Sequence, residues 1–459
     1  MRSIAGVAAD LAAGRVSSRE LLEQALARIA DPSGEGSRVF TRVHAASARA
    51  AADAADASRK AGVRLSPLAG VPVSVKDLFD LAGETTTAGS RVLRQHPAAA
   101  ADALAVQRLR AAGAVIVGST NMTEFAYSGL GINPHYGTPQ NPWACSAADP
   151  LQGRIPGGSS SGAAVSVTDG MAVMGLGTDT GGSVRIPAAL CGLTGFKPTT
   201  GRISTQGALP LSFTLDSIGP LAATVACCAV SDRILAGLAP SVPEALPLQG
   251  LRLGVLRGYV QDGLDDAVST AFGHALSTLS AAGAQLRDVS FDELKNIPTY
   301  TAKGHFSAPE CYQWHRQLLQ DRQAEYDPRI AGRILKGRDV MAWEYAELIH
   351  LRQRAMQDAA RAFAPFDAWL LPSVPLIAPR IAELDGSDEA YGKVNLAMLR
   401  NTSLFNFLDG CGLSLPCHKA GEAPVGLMVM AMGGHDDRVL ALGQSIESAL
   451  RAAGCAVAA

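Results

Sequence analysis

Two glycine- and serine-rich segments carry the residue types from which an acyl-transfer site can be built. The first is residues 156–162 (PGGSSSG) and the second is Thr180–Ser183 (TGGS), which places Ser183 24 residues after Ser159. Glycine permits a close approach of the backbone to a ligand, and consecutive free N–H groups form a concavity that holds an anion. The second segment follows an apolar run, so the N–H groups of Thr180, Gly181 and Gly182 are predicted to hold a developing oxyanion.

The first segment also fits a different catalytic pattern. Residues 158–162 read G-x-S-x-G, which would make Ser160 the nucleophile of an α/β-hydrolase elbow. That elbow must follow an apolar strand, whereas residues 149–156 are polar and flanked by prolines. The context therefore argues against the elbow. The other alternative is a glycine-rich loop without chemistry, the usual outcome for one such motif.

A lysine stands at the end of a predicted strand upstream of both segments. Valines at 71, 73 and 75 alternate with other residues up to Lys76, and this period of two predicts a strand that ends there. A serine nucleophile needs a base, and no histidine lies close to either segment in sequence. Burial beside the valines would lower the lysine pKa from ~10.4 toward the ~7 to 8 useful for a base. The alternative is a solvated strand-end lysine.

The alternation of helices and strands predicts a layered α/β core. Helices are predicted from the capping box Ser17–Glu20 and over residues 45–61 and 102–112, with Gly113 as a stop. Further apolar strands are predicted at residues 115–117, 172–176, 251–256 and 368–371. Residues 239–248 are the one candidate linker or surface loop. Residues 290–365, rich in long polar and aromatic side chains, are predicted to be helices and loops.

The composition excludes several classes of protein. The chain has 459 residues, 40 basic and 42 acidic side chains and 47% hydrophobic residues, which argues against a nucleic-acid-binding surface and against disorder. No run approaches the ~18 apolar residues of a membrane span, and no secretory leader is evident. The eight cysteines contain no CxxC pair and the nine histidines no HExxH. We expect a cytoplasmic protein with reduced cysteines and without metal, cofactor, nucleic acid or membrane partner.

Taken together, the motifs resemble the amidase signature family. The matching segments are Gly70–Asp77, Asn121–Ala126, Asn141–Trp143, residues 156–162, Gly177–Pro187, Gly195–Thr199, Leu215–Pro220 and Pro424–Leu427. The resemblance implies one large α/β domain, residues 1–459, with a mixed central sheet covered on both faces by helices. At ~150 residues per domain the length alone would suggest three domains, but the glycine-dense catalytic window runs across such a division. The signature core is expected at about 65–225, and the variable region at about 290–365 should shape the substrate pocket.

The resemblance also implies roles for individual residues. Ser183 is the nucleophile, Ser159 is a bridging serine preceded by a cis peptide bond, and Lys76 is the base. Residues 126–128 (Ala126, Tyr127 and Ser128) line the leaving-group side, although Tyr127 could equally belong to the core. An ion pair of Asp179 with Arg185 is expected to hold the oxyanion loop, and the less favoured alternative is that Arg185 binds a carboxylate of the substrate.

The predicted activity is hydrolysis of the C–N bond of a small amide, with carbamate (urethane), aryl amide or ester substrates also open. The protein is expected to be a monomer or a homodimer. One alternative is the amidase subunit of a tRNA-dependent amidotransferase, which usually has a second glycine after two serines where this chain reads GSSSG at 158–162. The other alternative is a binding scaffold without catalysis, which an intact triad disfavours.

Overall fold

Eleven strands form a single mixed sheet at the centre of the chain. The structure is a computed structural model that describes residues 1–144, 152–289 and 291–456. The strands within these ranges are β1 (Phe40–Val43), β2 (Pro72–Lys76), β3 (Val115–Thr120), β4 (Met174–Asp179), β5 (Thr194–Lys197), β6 (Ser217–Ala222), β7 (Arg252–Leu256), β8 (Gln285–Val289), β9 (Ala368–Pro372), β10 (Cys411–Pro416) and β11 (Gly426–Ala431). Their order across the sheet is β1-β3-β2-β4-β6-β5-β10-β11-β9-β7-β8.

Helices surround the sheet. In the described ranges they are α1 (Ile4–Ala12), α2 (Ser18–Ala30), α3 (Gly36–Val39), α4 (Ala45–Lys60), α5 (Leu104–Ala111), α6 (Ser161–Thr168), α7 (Arg185–Cys191), α8 (Val225–Ala236), α9 (Asp266–Ala281), α10 (Ile297–Tyr300), α11 (Ser307–Arg322), α12 (Pro328–Leu335), α13 (Ala342–Phe363), α14 (Ile381–Asp385), α15 (Asp388–Phe407) and α16 (Asp436–Ala452). None of the described helices is long and apolar enough to cross a membrane.

Both faces of the central strands are buried, which confirms the predicted α/β architecture. β2 pairs in parallel with β3 on one side and with β4 on the other. In β3, Ile116 belongs to one hydrophobic core, whereas Val115 and Val117 belong to a second core. Because successive side chains of a strand point to opposite faces, these two cores lie on opposite sides of the sheet.

Several local predictions are confirmed at residue level. The side chains of Ser17 and Glu20 cap the start of α2 reciprocally. Gly113 has φ +82° just after α5, as a helix stop requires. Residues 239–248 form a loop held against α16, because the Gln444 side chain donates to the Pro243 carbonyl at 2.5 Å. The stretch 290–365 contains α10 to α13, in agreement with the helices and loops expected there.

The cysteines of the described ranges are all free and buried: Cys191, Cys227, Cys228, Cys311, Cys411, Cys417 and Cys455. Cys145 lies outside the described residues. Within those ranges, no group of three histidine, cysteine or acidic side chains is placed to hold a metal ion.

Candidate active site

Lys76 lies fully buried at the last position of β2. The parallel pairing of β2 with β4 brings Thr178 beside it. Lys76 Nζ lies 2.7 Å from Ser159 Oγ and 2.8 Å from Thr178 Oγ1. The predicted base and the predicted bridging serine are therefore in direct contact, and the alternative of a solvated strand-end lysine is wrong.

Burial sets the proton affinity of this lysine. It lowers the pKa of Lys76 to about 7, while the negative charges of Asp216 and Asp179 oppose the shift. Removal of water disfavours the ammonium form, since a charge is poorly stabilised in an apolar interior. With a pKa near 7, roughly half of the lysine side chains are neutral at neutral pH and have a lone pair that can accept a proton.

The loop that carries Ser159 is fixed by its backbone. The peptide bond between Gly158 and Ser159 is cis. The Gly158 N–H donates to the Gly129 carbonyl at 2.8 Å, and the Thr123 N–H donates to the Ser159 carbonyl at 3.1 Å. A Cβ on Gly158 would lie 2.5 Å from the Gly131 nitrogen, so only glycine permits this close approach. The Ser159 loop is thus held against the segment 123–131.

Ser183 lies in the loop between β4 and α7, where it is 3% exposed. The Ser160 N–H donates to the Ser183 carbonyl at 3.3 Å, so the two serine segments are neighbours. The N–H groups of Thr180, Gly181 and Ser183 have no hydrogen-bond acceptor among the described residues. Free N–H groups in a tight turn beside a serine hydroxyl can stabilise an oxyanion.

The predicted ion pair organises this loop. Arg185 donates to both carboxylate oxygens of Asp179, at 2.9 and 3.0 Å, and both side chains are fully buried. Burial would raise the pKa of Asp179, but the charge and hydrogen bonds of Arg185 hold it well below its usual range. Asp179 Oδ1 also accepts the Gly182 N–H at 2.8 Å. The N–H of Gly182, one of the predicted oxyanion donors, therefore bonds to this carboxylate in the structure, and its contact with an oxyanion stays a prediction.

One face of α15 supplies site residues that were not predicted. The Thr402 hydroxyl donates to the Gly181 carbonyl at 2.7 Å. The Asn406 amide donates to Asp179 Oδ1 at 2.9 Å, and its oxygen accepts from Arg185 at 2.7 Å. With Asn395 and Leu399, these side chains recur every three or four residues along one face of the helix. The signal available in the sequence was this helical spacing of amide and hydroxyl residues along α15.

The predicted substrate residues form a buried turn between the Ser159 loop and α15. Ala126, Tyr127 and Ser128 are 5%, 6% and 3% exposed. The Ser128 hydroxyl donates to Asn395 Oδ1 at 2.9 Å. The guanidinium carbon of Arg333 lies 4.6 Å from the centre of the Tyr127 ring. The turn therefore joins the catalytic loops to α12 and α15.

The variable region reaches the site through Glu310 on α11. Its carboxylate accepts hydrogen bonds from the hydroxyls of Ser212 and Tyr345, the latter at 2.7 Å. The Ser212 N–H donates to Asp216 at 3.1 Å, and Asp216 in turn accepts from the Thr180 hydroxyl. The carboxylates of Glu310 and Asp216 thus connect the helices of residues 290–365 to the oxyanion loop.

Comparison with known proteins places this geometry in a family. The amidase family model matches residues 20–440. The 2-amino-5-chloromuconic acid deaminase of Comamonas testosteroni is 37% identical over 88% of this chain and 86% of its own length. The AtzE chain of the 1-carboxybiuret hydrolase of Pseudomonas sp. (strain ADP) is 38% identical over 81% of each chain. A glutamyl-tRNA(Gln) amidotransferase chain of Roseiflexus sp. (strain RS-1) is 35% identical over 95% of this chain and 93% of its own.

The fold agrees with the sequence relatives. A crystal structure of an amidase superposes with a TM-score of 0.86 at 33% identity and covers 97% of this chain and 99% of that chain. The match therefore takes in nearly the whole of both proteins. The chain belongs to the amidase family and is an amidase, a hydrolase that acts on carbon–nitrogen bonds.

Proposed function

We propose that this amidase cleaves a small amide through an acyl-enzyme on Ser183, with Ser159 and Lys76 as the proton relay. The observation that carries the proposal is the buried 2.7 Å contact between Lys76 Nζ and Ser159 Oγ. Burial lowers the pKa of this lysine to about 7, so it can act as a general base near neutral pH. The loop with Ser183 lies directly beside the Ser159 loop.

The proposed reaction moves one proton along this relay and back. Neutral Lys76 accepts the proton of the Ser159 hydroxyl, Ser159 accepts the proton of Ser183, and the Ser183 oxygen bonds to the carbonyl carbon. When the tetrahedral intermediate collapses, the C–N bond breaks and Ser159 returns the proton to the leaving amine. Water then attacks the acyl ester by the same relay, which releases the acid and restores the Ser183 hydroxyl.

The oxyanion of the intermediate is proposed to lie against the turn before Ser183. The free N–H groups of Thr180, Gly181 and Ser183 support this placement. Preorganised donors of this kind contribute on the order of 10²- to 10³-fold each to the rate of acyl transfer. Residues Ala126, Tyr127 and Ser128 are proposed to line the leaving-group side, since their turn packs on the Ser159 loop.

Active-site labelling and two variants test this assignment. A neutral fluorophosphonate should label Ser183, and Ser183→Ala should abolish both labelling and turnover. Lys76→Ala should abolish turnover while the protein stays folded. Near-wild-type rates in either variant would overturn the mechanism. An intact protein that the fluorophosphonate leaves unlabelled would favour the binding scaffold instead.

The substrate class is proposed to be a small-molecule amide, with carbamates (urethanes), aryl amides and esters as further candidates. The names of two relatives support small nitrogen-containing acids, since one is a deaminase of an aminomuconic acid and one a carboxybiuret hydrolase. Hydrolysis rates for a primary aliphatic amide, an anilide, a carbamate, an ester and glutamine would rank these possibilities. Uniformly negligible rates across this panel would count against a small-molecule hydrolase.

A second candidate function is that of one chain of an amidotransferase. Several relatives carry that name at 34–37% identity over more than nine-tenths of this chain. Such a chain works with partner chains, so co-purification with partners and a glutaminase rate that rises on their addition would support it. A lone chain with full activity on simple amides would exclude it.

The chain is further proposed to act as one cytoplasmic domain, as a monomer or homodimer. A single sheet with strands from Phe40 to Ala431 supports one domain, and the free, buried cysteines suit a reducing compartment. One cooperative unfolding transition and a light-scattering mass of one or two chains are expected. Two separate transitions or a larger assembly would contradict this.

A further inference from the structure

A cavity of about 370 Å³ lies beside the segment that follows Lys76 along the chain. Its volume falls in the range of small-molecule sites. Its lining includes Asp80, Thr86, Leu93, Leu209, Pro210 and Trp314. Lys76, Ser159 and Ser183 are not among the described residues that line it. The cavity is therefore separate from the proposed catalytic centre.

Backbone hydrogen bonds fix two walls of this cavity. The Asp80 N–H donates to the Gly207 carbonyl at 2.8 Å, and the Leu209 N–H donates to the Leu78 carbonyl at 2.8 Å. The two segments thus form a short antiparallel pair. A ligand that enters between fixed walls orders little of the protein, which lowers the entropic cost of binding.

The carboxylate of Asp80 gives the cavity a negative charge. Asp80 is the one acidic side chain among the described lining residues, which include no lysine or arginine; the other titratable side chain there, His96, is exposed. Asp80 is half-buried, and its Oδ1 accepts the Thr86 hydroxyl at 2.5 Å. Its Oδ2 has no donor among the described residues and is not sealed from solvent. A carboxylate in a largely apolar cavity, without a cation from the protein, favours a ligand that brings one.

An indole ring forms the wall that α11 contributes. The Trp314 ring centre lies 6.2 Å from that of Phe125 and 4.5 Å from that of His315, so neighbouring rings hold it in place. The face of an indole is the best aromatic surface for a cation. Leu93 and Leu209 add apolar surface. The cavity thus combines an anion, an indole and apolar walls, and a protonated amine with an apolar body complements all three.

We propose that this cavity is a second binding site, specific for an organic ammonium ion. The charged nitrogen lies at the Asp80 carboxylate, and the apolar body lies against Trp314. An uncharged molecule of the same shape would leave Asp80 without a partner, and an anion would be repelled by it. The proposal concerns binding alone and does not depend on the acyl-enzyme mechanism.

The test compares three ligands of nearly the same shape and different charge. Isothermal titration calorimetry of the full chain at about pH 8 measures the Kd of benzylammonium, benzyl alcohol and benzoate. Benzylammonium should bind about 10-fold more tightly than benzyl alcohol, and benzoate should bind most weakly. Asp80→Asn keeps the shape but removes the charge, so benzylammonium should weaken by about 10-fold while benzyl alcohol is unchanged.

Further variants locate the site. Trp314→Leu should weaken benzylammonium more than benzyl alcohol, because the indole face is lost; where this variant folds poorly, Asp80→Asn alone decides. Asp339→Asn and Trp343→Leu are the matched controls, because Asp339 pairs with Arg338 on the surface and Trp343 is 64% exposed on α13. Both controls should bind benzylammonium as the wild type does. Ser183→Ala should also leave the Kd unchanged, since Ser183 does not line the cavity.

Three results overturn the inference. They are equal Kd values of benzylammonium and benzyl alcohol for the wild type, an unchanged Kd of benzylammonium for Asp80→Asn, and loss of binding after a fluorophosphonate has blocked the active site. The last would show that the ion occupies the active site instead. Calorimetry needs no turnover, so these failures are distinct from failure of the proposed function, which the rates of the Ser183 and Lys76 variants decide.

Discussion

Replacing Lys76 by methionine should abolish activity and also change how the stability of the protein depends on pH. Methionine keeps an unbranched side chain of similar length but has no titratable amine. In the folded wild type, burial lowers the pKa of Lys76 to about 7, whereas in the unfolded chain it returns to ~10.4. Between these values the unfolded chain holds a proton that the folded chain has released. The stability of the wild type therefore includes a contribution that is complete above the unfolded pKa and is lost as the pH falls toward 7.

The size of this change in stability follows from a difference of one bound proton between the unfolded and the folded chain. A full proton difference changes the free energy of unfolding by about 1.4 kcal/mol per pH unit. Between pH 7 and pH 9 the wild type should gain about 2 kcal/mol from Lys76 alone, since the folded lysine is still half protonated at pH 7. The methionine variant lacks this gain, and the other titrating groups are common to both proteins. The stability of the variant relative to the wild type should thus fall by about 2 kcal/mol from pH 7 to pH 9.

Urea denaturation of both proteins at pH 7, 8 and 9 measures the difference directly. The wild-type kcat/KM should rise with pH with an apparent pKa near 7, the value at which the base becomes neutral. A stability difference that stays constant from pH 7 to pH 9, together with a rate that rises only above pH 9, would show a protonated Lys76. Such a lysine could not act as the base.

Two further substitutions test the support of the oxyanion loop. Asp179→Asn leaves the guanidinium of Arg185 buried without its charge partner. The free energy of unfolding, measured by urea denaturation, should therefore fall by about 3–5 kcal/mol. A loss below about 1 kcal/mol would show that the pair is not buried as described. Thr402→Val keeps the side-chain shape but removes the donor to the Gly181 carbonyl, so kcat should fall by roughly 10-fold with KM nearly unchanged. A change confined to KM in steady-state kinetics would place Thr402 in substrate binding instead.

The catalytic loops could be predicted from sequence because their signals are local. Alternating valines define the strand that ends at Lys76, and both serine segments consist of consecutive residues. The boundaries of β4 were harder to predict. A strand was expected at residues 172–176, whereas the structure has it at Met174–Asp179. Glycines weaken strand propensity, yet here a Cβ on Gly175 would lie 2.7 Å from the Ala163 carbonyl oxygen on α6. Packing of that helix, which is not a local signal, explains the glycine.

The contacts that could not be predicted join residues far apart in the chain. Thr402 bonds to Gly181 across 221 positions, and Asn395 bonds to Ser128 across 267. Periodicity places these polar residues on one helix face, but it does not say which element that face meets. Gly182 donates a hydrogen bond that was not predicted, for a related reason. Its sequence neighbourhood is that of a free glycine turn, and only the fold shows that the Asp179 carboxylate bends back to accept its N–H.

The neutral state of Lys76 depends on how strongly the charges of two nearby carboxylates act on it. Asp179 and Asp216 both raise the pKa of the lysine against the effect of burial. Arg185 pairs with Asp179 through two hydrogen bonds, so the pair as a whole presents little net charge to the lysine. Burial raises the pKa of Asp216 to about 6, and hydrogen bonds from the Thr180 hydroxyl and two backbone N–H groups satisfy its oxygens. Because Arg185 neutralises one carboxylate and burial disfavours the charged form of the other, Lys76 gains too little from them to keep its proton. The groups that hold the oxyanion loop in shape therefore also keep the base available.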